Sequence, residues 1–138
     1  MRRVLAPAAV AVLALVACAS PEEEAAFSRP PLITLTDGSQ AVDRGEAEAA
    51  GGAVTIRMAE FSFQPTVIRA PAGSVVQVRL VNAGDNVHNF EIAEQGIDRT
   101  LAERTEESVS VTVPRAGAVT FSCKFHLPRA MRGEFRAA

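Results

Sequence analysis

The chain has 138 residues and a formal net charge of −2, with two cysteines, two histidines and neither tryptophan nor tyrosine. This length suits one small domain with a single hydrophobic core. Seven acids and two bases lie between residues 18 and 52, whereas nine acids face ten bases from residue 53 onward. Basic residues form no patch, so the composition excludes a nucleic-acid surface.

The N-terminus has the pattern of an export signal. Two arginines precede an apolar run from Val4 to Val16, which is too short to span a bilayer. The run leads into Ala17-Cys18, and this end resembles the bacterial lipoprotein signal, in which the chain is cut before a cysteine that is then lipidated. We therefore predict a lipoprotein signal peptide over residues 1–17 and lipidation at Cys18; the alternative is an ordinary signal peptide. We expect an exported protein, lipid-anchored to the cell envelope, with its domain in the periplasm or on the outer surface.

The segment that follows is predicted to be a flexible acidic tether over residues 18–52. It is rich in glutamate, alanine, glycine and proline and poor in large apolar residues. Residues 32–35 are its one apolar patch and its one candidate for an additional edge strand. The folded domain is accordingly expected to span residues 53–138.

Within residues 53–138, apolar residues recur with a period of two. Short alternating runs are separated by clusters of glycine, proline and asparagine; the runs cover residues 54–58, 61–63, 66–69, 74–81, 88–93, 109–113 and 119–123. Residues 98–107 have a weakly helical pattern and are expected to form a connecting loop with a single turn. This organisation predicts an all-β fold, an antiparallel β-sandwich or barrel.

Four side chains with metal-binding atoms are grouped around the last of these runs. Cys123, His126 and Met131 follow it closely, and His88 comes just after the turn at residues 82–86. One thiolate, two imidazoles and one thioether are the donor set of blue copper electron-transfer sites, with the thioether as a long axial ligand. If Cys18 is lipidated, Cys123 is the only free thiol of an exported protein, and a bound metal would protect it.

The spacing of these residues resembles the cupredoxin family, and its plastocyanin-like branch in particular. The resemblance covers most of residues 53–135 and is most specific at 121–126, at 131–135 and at 87–90. It implies a Greek-key β-sandwich that binds one copper ion. The implied strong ligands are His88, Cys123 and His126, and the implied axial ligand is Met131.

The same resemblance assigns Asn89 to the surroundings of the metal, where it would tie the two ligand loops together and donate towards the sulfur. Ala130 departs from the family pattern, because glycine commonly precedes the methionine. His126 lies in mid-loop, so its ring edge is expected near the surface. Lys124, Arg129 and Arg132 flank that loop and would favour an acidic face on a partner protein.

Together these features predict a monomeric, non-enzymatic carrier of single electrons between redox proteins at the membrane. A copper module for storage, delivery or sensing is the principal alternative, because its ligand set would be similar. Zinc would find only three conventional donors, and a Cys123–His126 nucleophile pair would lack an orienting acid. A metal-free structural sandwich is the remaining alternative.

Overall fold

The computed structural model describes residues 30–138, which form twelve strands and two 3₁₀ turns and contain no α-helix. The two turns are Ala93–Gln95 and Leu127–Arg129. In chain order the strands are β1 Leu32–Thr34, β2 Gln40–Val42, β3 Glu46–Glu48, β4 Ala53–Ala59, β5 Ser62–Gln64, β6 Val67–Ala70, β7 Val75–Asn82, β8 His88–Ile92, β9 Ile97–Leu101, β10 Glu106–Thr112, β11 Ala118–Ser122 and β12 Arg132–Ala137.

Two sheets and a short ribbon make up the architecture. One sheet has four strands in the order β10-β7-β4-β5, the other has six in the order β3-β6-β12-β11-β8-β9, and β1 pairs with β2 alone. The predicted β-sandwich is therefore confirmed. Both sheets combine antiparallel pairs with parallel ones, since β4 runs parallel to β7, and β6 runs parallel to both β12 and β3.

The period of two seen in the sequence places one face of each sheet in the core. Along β7, Val76, Val78 and Leu80 are buried, while Gln77 and Arg79 between them are exposed. Aromatic packing rests on phenylalanine, and four fully buried rings lie within 6.1 Å of a neighbour, centroid to centroid. These rings are Phe63, Phe90, Phe121 and Phe135, and they belong to the same core cluster as Cys123 and Met131.

The prediction of a flexible tether over residues 18–52 is wrong for residues 30–52. β3 adds a parallel strand to the edge of the six-stranded sheet, where Glu46 pairs with Val67. Residues 32–34 do form a strand, which pairs with β2 rather than with either sheet. Leu35, Ala41, Val42 and Ala49 are all buried, so the folded unit includes residues 30–52 as well as residues 53–138. Residues 18–29 of the predicted tether lie outside the described part of the chain.

Polar contacts fix the β1–β2 ribbon against the sandwich. The fully buried carboxylate of Glu134 accepts hydrogen bonds from the backbone N–H and the hydroxyl of Thr36, at 2.9 and 3.2 Å. It also pairs with the guanidinium of Arg136. The hydroxyl of Thr66 donates to the carbonyl of Val42 and accepts from the N–H of Arg44. A buried carboxylate is tolerated only with such partners, so these contacts hold the ribbon in one place.

Residues 98–107 also differ from the expected loop. Ile97–Leu101 forms β9 at the edge of the six-stranded sheet, and Glu106 begins β10. Only the two ends of β9 are buried, while Asp98, Arg99 and Thr100 are exposed. A charged edge strand of this kind resists pairing with another chain, and it lacks the alternation by which strands are recognised in sequence.

The predicted signal peptide over residues 1–17 and the predicted lipidation site, Cys18, also lie outside the described part. Within residues 30–138, no helix has the length and apolar character needed to cross a membrane.

Candidate metal centre

The structure brings His88, Cys123 and His126 together at one end of the sandwich. One candidate ligand atom from each residue lies within 4.8 Å of those from the other two. The sulfur of Cys123 is 3.3 Å from Nδ1 of His126, and the two imidazole centroids are 5.1 Å apart. The pairing of β8 with β11 explains why residues so distant in sequence meet, since His88 opens β8 and Cys123 follows the end of β11.

Successive turns shape the loop that carries Cys123 and His126. The N–H of His126 donates to the carbonyl of Cys123 at 3.0 Å, and the N–H of Arg129 donates to the carbonyl of His126 at 3.0 Å. The N–H of Cys123 in turn donates to the carbonyl of Met131 at 3.0 Å, which closes the loop. The loop thus holds its side chains through its own backbone.

The candidate ligands differ in how deeply they are buried. His88, Cys123 and Met131 are fully buried, whereas His126 is partly exposed. The expectation of a ring edge near the surface therefore agrees with the position of His126. The closing hydrogen bond places Met131 beside Cys123, and its role as axial ligand stays a prediction.

Asn89 connects the two ligand-bearing segments. Its backbone N–H points to the sulfur of Cys123 at 3.4 Å, and its side-chain oxygen accepts from the N–H of Lys124 at 3.3 Å. Its amide nitrogen donates to Asp98 at 2.6 Å. Asn89 thus links the two segments, and its donation towards the sulfur comes from the backbone; its role beside a bound metal stays a prediction.

Lys124 and Asp98 form an ion pair next to this connection, with the ammonium 2.6 Å from one carboxylate oxygen. Hydrogen bonds from Lys124 and then from Asn89 lower the pKa of Asp98, and the bond to Asp98 raises the pKa of Lys124. The charge of Lys124 is thus partly neutralised where it flanks Cys123.

His88 is the least satisfied polar side chain of the group. It is fully buried, yet neither ring nitrogen has a hydrogen-bond partner. Burial, and secondarily the imidazole of His126, lower the pKa of His88, so the ring is neutral and carries a free lone pair. Buried nitrogens without partners are rare in folded proteins, and a metal ligand explains them. The residues present therefore fit a metal that prefers imidazole and thiolate donors.

Two further residues border the centre, and the sequence analysis did not identify them. They are Glu60 and Phe61, in the turn between β4 and β5. The Phe61 ring lies 4.7 Å from the imidazole of His126, and the guanidinium of Arg129 sits 4.6 Å above Phe61. No sequence signal distinguished these residues, because an acid and an aromatic in a turn are commonplace.

The carboxylate of Glu60 faces the segment that leads into His88. One of its oxygens accepts from the backbone N–H groups of Asp85 and Asn86, at 2.7 and 3.1 Å, and from the Asn86 side chain at 3.0 Å. The same oxygen is 3.6 Å from Nε2 of His88. The Asn86 side chain, backbone donors and His88 together lower the pKa of Glu60 to about 2, so the carboxylate is ionised at neutral pH.

Comparisons with known proteins identify solved structures with a similar fold. The chain resembles auracyanin from Roseiflexus castenholzii, with 18% identity and a TM-score of 0.54, over 64% of this chain and 98% of that one. The metal-binding domain of the Cu(I)-exporting P-type ATPase CopA of Streptococcus pneumoniae D39 gives 19% identity and a TM-score of 0.55, over 69% and 97% of the two chains. Auracyanin A of Chloroflexus aurantiacus gives 21% identity and a TM-score of 0.50, over 63% of this chain and 100% of that one. No curated protein matched significantly.

At these identities the solved structures establish a shared fold. The assignment to a family rests on the sequence itself, because the family model for the cupredoxin-like domain matches residues 8–135. That match covers most of the chain and includes every residue of the metal centre described above. The chain belongs to the cupredoxin family.

Proposed function

We propose that the protein binds one copper ion and carries single electrons at the cell envelope. The proposed ligands are His88, Cys123 and His126, with Met131 as the axial ligand. One observation carries this proposal: a buried free thiol lies beside two imidazoles, one of which is buried with both nitrogens unpartnered. Copper held by such donors exchanges one electron between Cu(II) and Cu(I).

The surrounding residues stabilise the thiolate and hold the site rigid, as fast electron transfer requires. Cys123 binds as the thiolate, so its proton must leave when the metal enters. The Asn89 N–H, 3.4 Å from the sulfur, stabilises the negative charge that results. The backbone bonds that close the 123–131 loop, and the packing of Cys123 and Met131 in the same core cluster as the phenylalanines, resist movement when the charge of the site changes.

The surface around His126 suits transient contact with a redox protein. Val87, Phe125 and Leu127 are exposed apolar side chains near the partly exposed His126. Three basic residues lie at the same face: Arg129 is on the loop, Arg132 opens β12 directly after it, and Lys124 is on the loop but paired with Asp98. An acidic partner would be steered to this face, and the apolar side chains would let it approach His126 closely. We propose a monomer that meets such partners one at a time and performs no substrate chemistry of its own.

We further propose that the lipid at Cys18 holds the protein at the membrane after removal of residues 1–17. The sequence pattern supports export, and anchoring would confine the carrier to the surface where membrane redox complexes lie.

Copper delivery is the second candidate function. One observation favours it: the structural neighbours include a metal-binding domain of a Cu(I)-exporting ATPase, solved with Cu(I). The partly exposed His126 would also be the natural point of ligand exchange. The two functions differ in kinetics, because delivery requires fast release of the metal whereas electron transfer requires that it stay.

The visible absorption spectrum of the Cu(II)-loaded chain from Ala19 to Ala138 tests the proposal. This chain lacks Cys18, so Cys123 is its only thiol. We expect an intense thiolate-to-copper band near about 600 nm, which disappears in Cys123→Ser and is lost or shifted in His126→Ala. A colourless wild-type complex would contradict a blue copper centre.

Transfer of Cu(I) to a competing chelator then separates the two functions. A retained metal and a reversible potential support electron transfer, and rapid loss supports delivery.

A further inference from the structure

The Glu60 carboxylate is fixed by hydrogen bonds from Asp85 and Asn86, in the segment that leads into His88. Its Oε1 accepts three hydrogen bonds, two from the backbone and one from the side chain of Asn86. Its side chain is 32% exposed, although it is charged and lies on a turn. These donors hold the carboxylate beside His88, whose Nε2 lies 3.6 Å from the same oxygen.

Gly84 shows how closely the carboxylate is packed. A Cβ added at this position would lie 2.4 Å from Oε1 of Glu60 and 2.9 Å from its carboxyl carbon. No side chain can occupy that space without displacing the carboxylate. The glycine therefore permits Glu60 to rest directly on the backbone ahead of His88.

This placement gives the two nitrogens of His88 different surroundings. Oε1 of Glu60 lies 3.6 Å from Nε2, a distance that is electrostatic contact rather than a full hydrogen bond. A neutral imidazole carries its proton on one nitrogen and a lone pair on the other. A neighbouring carboxylate favours the proton on the nitrogen that faces it, which leaves the opposite nitrogen free to bind a metal.

We propose that Glu60 is a positioning residue of the metal centre, which keeps the His88 proton on Nε2, presents Nδ1 to the metal and favours the more highly charged oxidation state. This inference rests on the proposed function, since it assigns a role towards the same copper ion. It adds a carboxylate to a centre whose other contacts with the ligands come from the backbone and from neutral side chains. The negative charge stabilises Cu(II) more than Cu(I), because the two differ by one unit of charge.

Substitution Glu60→Gln tests the charge while keeping the shape and an acceptor oxygen for the loop donors. We expect the ratio of Cu(II) to Cu(I) affinity to fall about tenfold, which raises the reduction potential by about 59 mV for one electron. Asn86→Ala is the matched control, because it removes one donor to Glu60 and leaves the carboxylate charge in place. Its potential should stay at the wild-type value.

A measurement without copper completes the test. Nitrogen NMR of His88 in the metal-free wild-type chain at neutral pH should show the proton on Nε2. A proton on Nδ1 overturns the inference even if the Glu60→Gln variant does not fold. An unchanged potential in Glu60→Gln, or equal shifts in Glu60→Gln and Asn86→Ala, also overturns it. A wild-type protein without the blue band contradicts the proposed function instead, so the two failures are distinguishable.

Discussion

Substitution of Leu35 by alanine tests whether the β1–β2 ribbon is part of the folded domain. Leu35 is 3% exposed although it lies in a segment whose composition predicts a flexible tether. Removing three buried carbons costs about 2.4 kcal/mol in transfer free energy at about 0.8 kcal/mol each. Cavity formation adds to this cost, and measured Leu→Ala substitutions span about 2–5 kcal/mol. Because Leu35 lies outside the main core cluster, we expect a loss of about 2–3 kcal/mol.

Urea unfolding of the metal-free chain measures this loss. With an m-value of about 1.5 kcal/mol/M, the midpoint should move by about 1.3–2 M. Leu32→Ala is the matched control, since it is the same substitution in the same ribbon at a side chain that is 52% exposed. It should change the free energy of unfolding by no more than about 0.5 kcal/mol. Equal effects of the two substitutions would refute the packing of the ribbon and restore the tether.

Three further predictions concern the 123–131 loop, strand β12 and acid stability. Ala130 has a φ of 56°, a conformation that costs an L side chain about 1–2 kcal/mol. Ala130→Gly should therefore raise the free energy of unfolding by about 0.5–1 kcal/mol, after subtraction of the greater entropy of glycine in the unfolded chain. A lower free energy of unfolding in a urea titration would contradict this strain. Gly133→Ala should lower the free energy of unfolding by at least about 2 kcal/mol, because the new Cβ would lie 2.4 Å from both the Thr66 carbonyl oxygen and the Phe121 ring. An unchanged melting curve would contradict this tight packing around Gly133. The lowered pKa of Glu60 contributes stability that is complete above the unfolded value of 4.5 and is lost as the pH falls towards about 2. Between about pH 5 and pH 2.5, Glu60→Gln should therefore lose less stability than wild type in urea unfolding, and equal losses would exclude Glu60 as a contributor.

The candidate ligands could be predicted from the sequence because three of the four lie on one loop. Cys123, His126 and Met131 follow an alternating run directly, and the chain contains only one other histidine, His88. The strands with clear alternation, such as β7 and β10, were predictable for a similar reason. Their burial repeats every second residue, and the same repeat is visible in the residue types of each strand's own sequence.

The strands that the sequence analysis did not predict include β2, β3 and β9. β2 and β3 have three residues each, which is too few for a period to show. β9 is buried only at its ends. Their stability comes from partners far away in sequence, as when Thr36 donates to Glu134, 98 positions later.

The sequence by itself determined the class of fold, the donor atoms and the loop that carries most of them, because residue chemistry and a period of two are local properties. The tertiary structure decided that residues 30–52 belong to the folded domain, that Leu35 and Val42 are buried, and that Glu60 faces His88. Each of these depends on which strands become neighbours, and neighbours are chosen by the burial of the whole core rather than by any one segment.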